Sequence, residues 1–396
     1  MRMFLGKGGA GKTTLAAATA VRLAADGPVL LVSLDRAHST TGVLGVPAGS
    51  GIRSVAPGLD LIEIDSLELL ERRYTTLSTL ASAVGGHDHA GNFHLPDPAE
   101  ITGLPGAQDI LALTEVAALA DDGRWGTVIV DAPASADTFA MLTAPHTVLG
   151  YMERIWPQHS RIAAATGPDP RLAVVVALFD RILAAVDAAR AVLEDRSRTD
   201  VTLVANPDRA GLSELRRLRS WTALAGLRLR EVIVNGILPD LGSDDSAGRW
   251  LTARRNAQRR VLDEMIDTLV EAPVRVCAQA EDEPVGTASL GALADSIEET
   301  VGTRPNGGAD DPPVRIRHDS GTGVDAVYTL RMHLPLADPS TLTLGRTGDD
   351  LVVGADGARR RIRLASGLRR CTVAGAEFDG TGLLVRFAPD PEVWPS

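Results

Sequence analysis

The chain has 396 residues, 44% of them hydrophobic, which is enough for two domains with sizeable cores. Its formal net charge of −11 at pH 7 argues against nonspecific binding to nucleic acid or to anionic lipid. Its 2 cysteines exclude a disulfide framework and a multi-cysteine metal site, and no apolar run is long enough for stable membrane insertion.

The first predicted element is a strand, Met3–Leu5, which begins almost at the N-terminus. Because no targeting segment precedes it, we expect a cytoplasmic protein. The stretch GKGGAGKTT follows and fits G-x-x-x-x-G-K-[ST], and a helical pattern, Thr14–Ala25, comes next. A strand, a glycine-rich loop and a helix in this order predict a P-loop that binds ATP.

The two lysines of the chain, Lys7 and Lys12, both lie in this loop. Lys12 supplies a compact cation for the β/γ-phosphates, and Thr13 offers its hydroxyl to Mg²⁺. The motif does not require Lys7, which could be a solvated loop lysine, but a chain that otherwise uses arginine favours a chemical requirement at both positions. The expected nucleotide-binding residues of the loop are Gly6, Lys7, Gly8, Gly9, Ala10, Gly11, Lys12, Thr13 and Thr14.

Short apolar runs then alternate with longer helical stretches as far as residue 302. Runs without polar alternation are typical of strands covered on both faces, so we predict a mostly parallel sheet flanked by helices over residues 1–302. Ligands bind such sheets at the carboxyl ends of the strands. The predicted strands after the first are Val29–Leu34, Leu59–Ile64, Thr127–Val130, Val201–Ala205, Glu231–Val234 and Val274–Cys277.

Two of these runs end in an aspartate. LLVSLD ends in Asp35 and VIVD ends in Asp131. A P-loop ATPase needs a carboxylate for Mg²⁺ and a group that orients the attacking water. Each aspartate taken alone could be a loop cap, but together they fit these two needs, with Asp131 holding Mg²⁺ through water.

The segment TRPNGGADDPP, residues 303–313, is predicted to be a linker because it is rich in Pro, Gly and Asp. After it, YTLRMHL and LLVRF alternate apolar and polar residues. The pairs Gly348-Asp349, Asp356-Gly357 and Asp379-Gly380 predict turns between such runs. Residues 314–396 are therefore predicted to form an all-β sandwich.

Several motifs resemble the ArsA/Get ATPases, a family with a deviant P-loop. They are GKGGAGKTT, DRAHS, DAPASADTFAML, LPGAQDILAL, VANPDRAGLSELRRL and VIVNGILP, in the family's order over the whole first domain. The resemblance implies a homodimer in which Lys7 reaches phosphates of the other subunit and Asp35 positions water. It also implies that Asp208 contacts the ribose and Asn235 reads the adenine.

GAEFDGTGLLVRF is similar to the signature of small heat-shock (α-crystallin) domains, and family members that carry such a domain at the C-terminus form a recognised subgroup. The chain departs from the family at its zinc-binding cysteines, where Gly248 and Leu251 stand, so we expect no zinc site. Cys277 and Cys371 lie in different predicted domains, which argues against arsenite capture. Arg36 and Ala140 also depart from the family's switch segments.

Two further features have more than one interpretation. His87 and His89 could bind a metal, but the absence of nearby cysteine favours a polar loop. The apolar helical stretch from Tyr151 to Leu193 could form a client groove, but such grooves favour methionine and the whole chain has 6, which favours core packing for most of the stretch.

The sequence as a whole predicts an Mg²⁺-dependent ATPase. In this hypothesis nucleotide-driven dimer closure is coupled to binding or release of a protein client. A holdase chaperone or scaffold that binds nucleotide with little turnover is an alternative. A positioning ATPase of the ParA/MinD type is another, but it would need an amphipathic tail or a basic DNA-binding surface, and APDPEVWPS is neither.

Overall fold

The computed structural model describes residues 1–35, 39–84, 106–240, 242, 245–269, 271–299 and 312–394. Three features discussed above therefore lie outside the described residues. They are the segment after Asp35 up to His38, the histidines His87 and His89, and the predicted linker up to residue 311.

Among the described residues, nine strands form one sheet in the order β3-β4-β2-β5-β1-β6-β7-β8-β9. All neighbours are parallel except β3–β4 and β8–β9. The P-loop strand β1 lies in the middle, where Met3 is in register with Val130 on one side and Val201 on the other. The strands are Arg2–Gly6 (β1), Val29–Ser33 (β2), Arg53–Ala56 (β3), Leu59–Glu63 (β4), Thr127–Asp131 (β5), Asp200–Ala205 (β6), Arg228–Ile237 (β7), Val274–Ala278 (β8) and Glu298–Glu299 (β9).

Helices cover both faces of this sheet, because successive strand residues are apolar on both sides. Met3 and Leu5 face one buried cluster, whereas Phe4 faces the other. The first cluster is covered by α4, α5, α7, α8 and α9, and the second by α1, α2 and α10. The helices are Lys12–Ala24 (α1), Ser39–Leu44 (α2), Ser66–Val84 (α3), Ala107–Asp121 (α4), Ser135–Ile155 (α5), Gln158–Ala165 (α6), Pro170–Glu194 (α7), Arg209–Leu224 (α8), Ser246–Thr268 (α9) and Thr287–Asp295 (α10).

The C-terminal residues form two antiparallel sheets, of order β10-β11-β16-β15 and β12-β13-β14. Their facing sides share one apolar cluster that includes Leu330, Met332, Val353, Val385 and Phe387. We call residues 314–394 the C-terminal sandwich. Its elements are Val314–Ser320 (β10), Val327–His333 (β11), Thr343–Thr347 (β12), Asp350–Ala355 (β13), Ala358–Arg363 (β14), Ser366–Arg369 (α11), Cys371–Phe378 (β15) and Gly382–Pro389 (β16).

The predicted fold class is confirmed in both halves of the chain. Each predicted strand of the large sheet is present, with ends that differ by no more than three residues. The turns at Gly348, Asp356 and Gly380 are also present, and each of these residues has a positive φ. Across the described helices, none is both long enough and apolar enough to cross a membrane.

Candidate nucleotide site

The P-loop lies between the end of β1 and the start of α1, and two of its glycines are required by close contacts. Gly11 has φ 89° and stands at the N-cap of α1. A Cβ at Gly11 would lie 2.3 Å from Nδ2 of Asn235, and one at Gly6 would lie 2.4 Å from the carbonyl oxygen of Val204. A side chain at either position would displace the backbone, so the loop can follow this path only with glycine there.

The two lysines of the loop occupy different surroundings. Lys12 is half-buried, and its Nζ donates to the carbonyl oxygen of Lys7 at 3.4 Å, across the mouth of the loop. Lys7 is exposed, together with Gly8 and Gly9. The site therefore has one lysine within the loop and one that is exposed at its surface.

The P-loop threonine contacts the aspartate at the end of β5. Thr13 Oγ1 donates to Asp131 Oδ2 at 2.7 Å, although the two residues are far apart in sequence. Asp131 is fully buried, and no described group hydrogen-bonds to its Oδ1. Burial raises the pKa of Asp131 to about 6, against the opposing effects of the Thr13 hydrogen bond and the Lys12 charge.

These residues fit a bound magnesium ion. A buried carboxylate oxygen without a partner is costly unless a cation or ordered water satisfies it. Mg²⁺ prefers oxygen ligands and keeps several of its waters, which suits a hydroxyl and a carboxylate at the edge of a phosphate loop. Thr13 and Asp131 are thus the residues that could hold the ion.

Asp35 follows β2, at the same edge of the sheet. The backbone of Leu34 donates to the carbonyl oxygen of Asp131 at 2.9 Å, which brings the chain after β2 beside the end of β5. The charge of Asp35 also acts on the Asp131 carboxyl and raises its pKa, so the two predicted aspartates are neighbours, as the parallel sheet requires. Asp35 lines a cavity of about 360 Å³. Its other lining residues are Leu34, Ile64, Asp65, Ser66, Leu67, Gln108, Asp109, Ala112, Pro133, Ala134, Asp137 and Met141.

Sequence reasoning missed three further carboxylates of this cavity, Asp65, Asp109 and Asp137. Each lies at or near the first residues of a helix, where a negative charge interacts favourably with the helix dipole. This position is the only signal that the sequence offers for them. Asp65 is the N-terminal cap of α3, since its Oδ1 accepts from the backbone of Leu67 at 2.8 Å.

The residues predicted to contact ribose and adenine make structural hydrogen bonds within the chain. Asp208 caps α8, and its Oδ1 accepts from the backbone of Gly211 at 2.7 Å. Asn235 donates from Nδ2 to the carbonyl oxygen of Ala10 at 2.9 Å and so links β7 to the P-loop. Both lie at the same edge of the sheet as the P-loop, and their contacts with a nucleoside remain predictions.

Helix α9 carries the positions at which the family has its zinc-binding cysteines. Gly248 lies in its first turn, where the backbone of Gly248 donates to the capping carboxylate of Asp245 at 2.6 Å. Farther along, Gln258 accepts from the backbone of Leu238 and donates to the carbonyl oxygen of Gly236, both at 2.9 Å. Gln258 therefore fastens α9 to the end of β7.

A second surface feature lies on the helices α5, α6 and α7. Core packing was the favoured interpretation for most of this apolar stretch, and several of its side chains are buried, whereas others are exposed. Tyr151, Ile155 and Ile162 are 54%, 58% and 57% exposed. Arg161 holds the corner between these helices, because it pairs with Glu153 at 3.1 Å and with Asp180 at 2.9 Å. We call the exposed side chains of Tyr151, Ile155, Ile162, Leu172 and Ile182 the apolar ridge.

Comparison with known proteins gives two family matches. Residues 1–299 match the family described as Anion-transporting ATPase, and residues 325–387 match the HSP20-like domain found in ArsA. Protein Rv2184c of Mycobacterium tuberculosis is 40% identical over 100% of this chain and 97% of its own length. Protein SCO2128 of Streptomyces coelicolor is 36% identical over 99% of this chain and 98% of its own length. The Arsenical pump-driving ATPase of Acidiphilium multivorum is 30% identical over 69% of this chain and 46% of its own length.

Proposed function

The chain belongs to the anion-transporting ATPase family and carries the HSP20-like domain found in ArsA, and from this premise we propose an Mg²⁺-dependent ATPase cycle. In this cycle nucleotide-driven closure of a homodimer is coupled to binding or release of a protein client. The observation that carries the proposal is the Thr13–Asp131 contact, which joins the phosphate loop to a buried carboxylate with a free oxygen.

The chain's own groups divide the work of phosphoryl transfer among them. Backbone N–H groups of the P-loop and the N-terminus of α1 bind the phosphates, and Lys12 adds a positive charge. Thr13, and Asp131 through water, would hold a magnesium ion, which would neutralise charge that develops on the phosphates. Asp35, beside them, accepts a hydrogen bond from the attacking water and orients it.

Lys7 is the residue that we assign to the dimer. A cation at the exposed rim of the loop has room to meet the phosphates of a second subunit placed against it. Closure would thereby depend on nucleotide in both subunits. The formal net charge of −11 makes nucleic acid an unfavourable partner for the surface as a whole.

The client assignment depends on the apolar ridge. Its large apolar side chains are exposed on three consecutive helices, and exposed apolar patches mark protein-binding sites. Arsenite is a poor candidate for this chain, because arsenite capture needs several thiols together. Cys277 and Cys371 are both buried and belong to separate clusters of the core.

Turnover of Asp35→Asn tests the proposal. Loss of the water-orienting carboxylate should slow ATP hydrolysis by about 10²–10⁴-fold, whereas ATP binding should persist and an ATP-loaded dimer should accumulate. Steady-state hydrolysis, calorimetric titration and light scattering measure these three quantities. Asp65→Asn is the matched control in the same cavity, because Asn caps a helix about as well as Asp does. Near-normal turnover in Asp35→Asn would reject the assigned role, and a wild-type protein without turnover would favour the holdase alternative.

A further inference from the structure

The C-terminal sandwich packs directly on the N-terminal domain, mainly through the hairpin β13–β14, residues 350–363, which we call the docking hairpin. Trp221 of α8 donates from Nε1 to the carbonyl oxygen of Asp356 at the tip of this hairpin, at 3.2 Å. Phe139 of α5 and Leu224 of α8 are buried in the same apolar cluster as the sandwich core. The interface therefore continues the core of the sandwich into the N-terminal domain.

A buried arginine of the docking hairpin joins two helix ends. Arg360 is 9% exposed, and its Nη1 donates to the carbonyl oxygen of Leu224, the last residue of α8, at 2.8 Å. Its Nη2 pairs with Glu194, the last residue of α7, at 3.2 Å. The last carbonyls of a helix lack partners within the helix and carry partial negative charge. The guanidinium of Arg360 therefore satisfies both the Leu224 carbonyl and the Glu194 carboxylate.

Two more contacts hold the sandwich in place. His333, at the end of β11, pairs with Glu271 at 3.0 Å, and Glu271 also pairs with the buried Arg219 of α8. Leu336 has φ 62°, which is uncommon for a branched side chain, and it packs against the main core of the N-terminal domain. These contacts and those of the docking hairpin thus fasten the sandwich to most of the C-terminal half of α8.

Helix α5 has two opposite faces, one toward the cavity beside Asp35 and one toward this interface. Asp137 and Met141, one turn apart, line the cavity that contains Asp35. Phe139 and His146 lie on the other side of the helix. The ring of Phe139 is 5.3 Å from that of Trp221, and His146 Nε2 is 2.8 Å from Glu194 Oε1.

The same helix follows closely on the magnesium-binding aspartate. Asp131 ends β5, and α5 begins at Ser135. A displacement of its first turn cannot be absorbed locally, because Phe139 is buried in a close-packed cluster with the sandwich. Trp221 and Glu194, which both contact the docking hairpin, are also neighbours of α5.

We propose that the C-terminal sandwich regulates the nucleotide site through α5, so that nucleotide binding at the P-loop and docking of the β13–β14 hairpin are energetically coupled. The inference rests on the proposed nucleotide binding but not on dimer closure or on a client. Coupling of this kind is reciprocal: nucleotide alters the docking of the hairpin, and a weakened hairpin alters nucleotide affinity by the same factor.

Hydrogen exchange of the full-length wild-type protein tests whether nucleotide alters the docking of the hairpin. With Mg²⁺ and a slowly hydrolysed ATP analogue, the amides of residues 350–363 should change their exchange rates. Those of the edge strand β15, Cys371–Phe378, should not change, because this strand belongs to the same sandwich but lies in the other sheet. Calorimetric titration under the same conditions establishes occupancy. Saturating nucleotide without any change in residues 350–363 overturns the inference, whereas absence of nucleotide binding overturns the proposed function itself.

Measuring the nucleotide affinity of variants at two adjacent arginines tests whether a weakened hairpin alters that affinity. Arg360→Ala removes the buried contact, and we expect its dissociation constant for the analogue to change about fivefold or more, a typical allosteric factor. Arg361→Ala is the matched control, since the side chain of Arg361 is 39% exposed and pairs with Asp350 at 3.5 Å, and its constant should stay within about twofold. Phe139→Leu, which removes the ring contact with Trp221, serves as a milder second variant. Folded Arg360→Ala and Phe139→Leu proteins with wild-type affinity would contradict the coupling.

Discussion

Lysine occurs in this chain at two positions, and the structure gives them different surroundings. Lys12 contacts its own loop, whereas Lys7 is exposed at the rim. We expect Lys12→Arg to abolish nucleotide binding, because a planar guanidinium does not fit within the closed loop. Lys7→Arg should retain binding in the monomer but impair dimer closure and hydrolysis. Calorimetric titration and an ATPase assay on the same preparations separate the two effects.

The lysine pair thus provides its own control, since the same chemical change is made twice in one loop. Equal loss of binding in both variants would place Lys7 in its own subunit's phosphate site. Normal hydrolysis by Lys7→Arg would remove the main support for a shared site between two subunits.

Glu271 determines an acid-sensitive part of the stability. Burial by itself would raise its pKa, but the hydrogen bond from His333 and the charge of Arg219 lower the pKa from 4.5 to about 2. A carboxylate with a depressed pKa stabilises the fold fully above its unfolded pKa, and this contribution is lost as the pH falls toward the folded value. Glu271→Gln should therefore cost about 1–3 kcal/mol at pH 7, and this difference from wild type should shrink between pH 4.5 and about 2.

Denaturant unfolding at several pH values measures the difference. Glu377→Gln is a suitable control, because Glu377 forms an exposed pair with Arg386 within the sandwich. We expect no measurable loss from that control. A Glu271→Gln difference that stays constant down to pH 2 would show that its carboxylate is not the titrating group.

The sequence motifs correctly predicted that the phosphate loop, Asp35 and Asp131 are neighbours. Each lies at the end of a strand, and the parallel sheet determines where these ends meet. Arg360 could not be identified in this way. In ARRRIR it is one of several arginines, and its burial arises from Leu224 and Glu194, which are distant in sequence. Residue roles that depend on contacts between domains leave no local pattern.

At the scale of elements, the central strands were predictable because burial on both faces demands continuous apolar runs. The edge strands β3 and β9 were not, since β3 is half exposed and β9 has only two residues. Which side chains of the apolar stretch in α5 to α7 remain exposed was not predictable, for a related reason. Composition does not distinguish a helix buried in a core from one whose apolar side chains remain at the surface.

The apolar ridge should be dispensable for folding but needed for client capture. A double variant, Ile155→Ser with Ile162→Ser, should leave ATP turnover and the unfolding temperature nearly unchanged, because both side chains are more than half exposed. Its binding of a fluorescent apolar helical peptide should fall at least about tenfold, as expected when two interface anchors are lost. Fluorescence anisotropy measures the binding.

The matched control changes apolar residues that are equally exposed elsewhere. Ile316→Ser with Val324→Ser lies on the C-terminal sandwich, where these side chains are 44% and 55% exposed. Equal peptide binding by both double variants would show that the ridge is not the client surface. Loss of binding in the sandwich variant alone would locate the client on the sandwich.

At the scale of the whole molecule, the sequence indicated two units joined by a Pro-rich linker at residues 303–313. The structure places Phe139, Ala223 and Leu224 in the apolar cluster of the sandwich. Interfaces between domains are usually more polar than a core. The sequence could not show that the two halves share an apolar cluster, because Trp-Thr-Ala-Leu at the end of α8 has the same pattern as any amphipathic helix.

A shared cluster has a thermodynamic consequence for the full chain. If the sandwich and the N-terminal domain were independent, calorimetry would show two transitions, whereas a common core should give one. Leu224 is fully buried at the junction, so Leu224→Ala should cost about 2–5 kcal/mol and shift that single transition to lower temperature without splitting it. Ile316→Ala, at an exposed position of the sandwich, should leave it in place. Two well-separated transitions in the wild type, with only one sensitive to Leu224→Ala, would show that the packing at this junction does not couple the two halves and would restore the two-unit description.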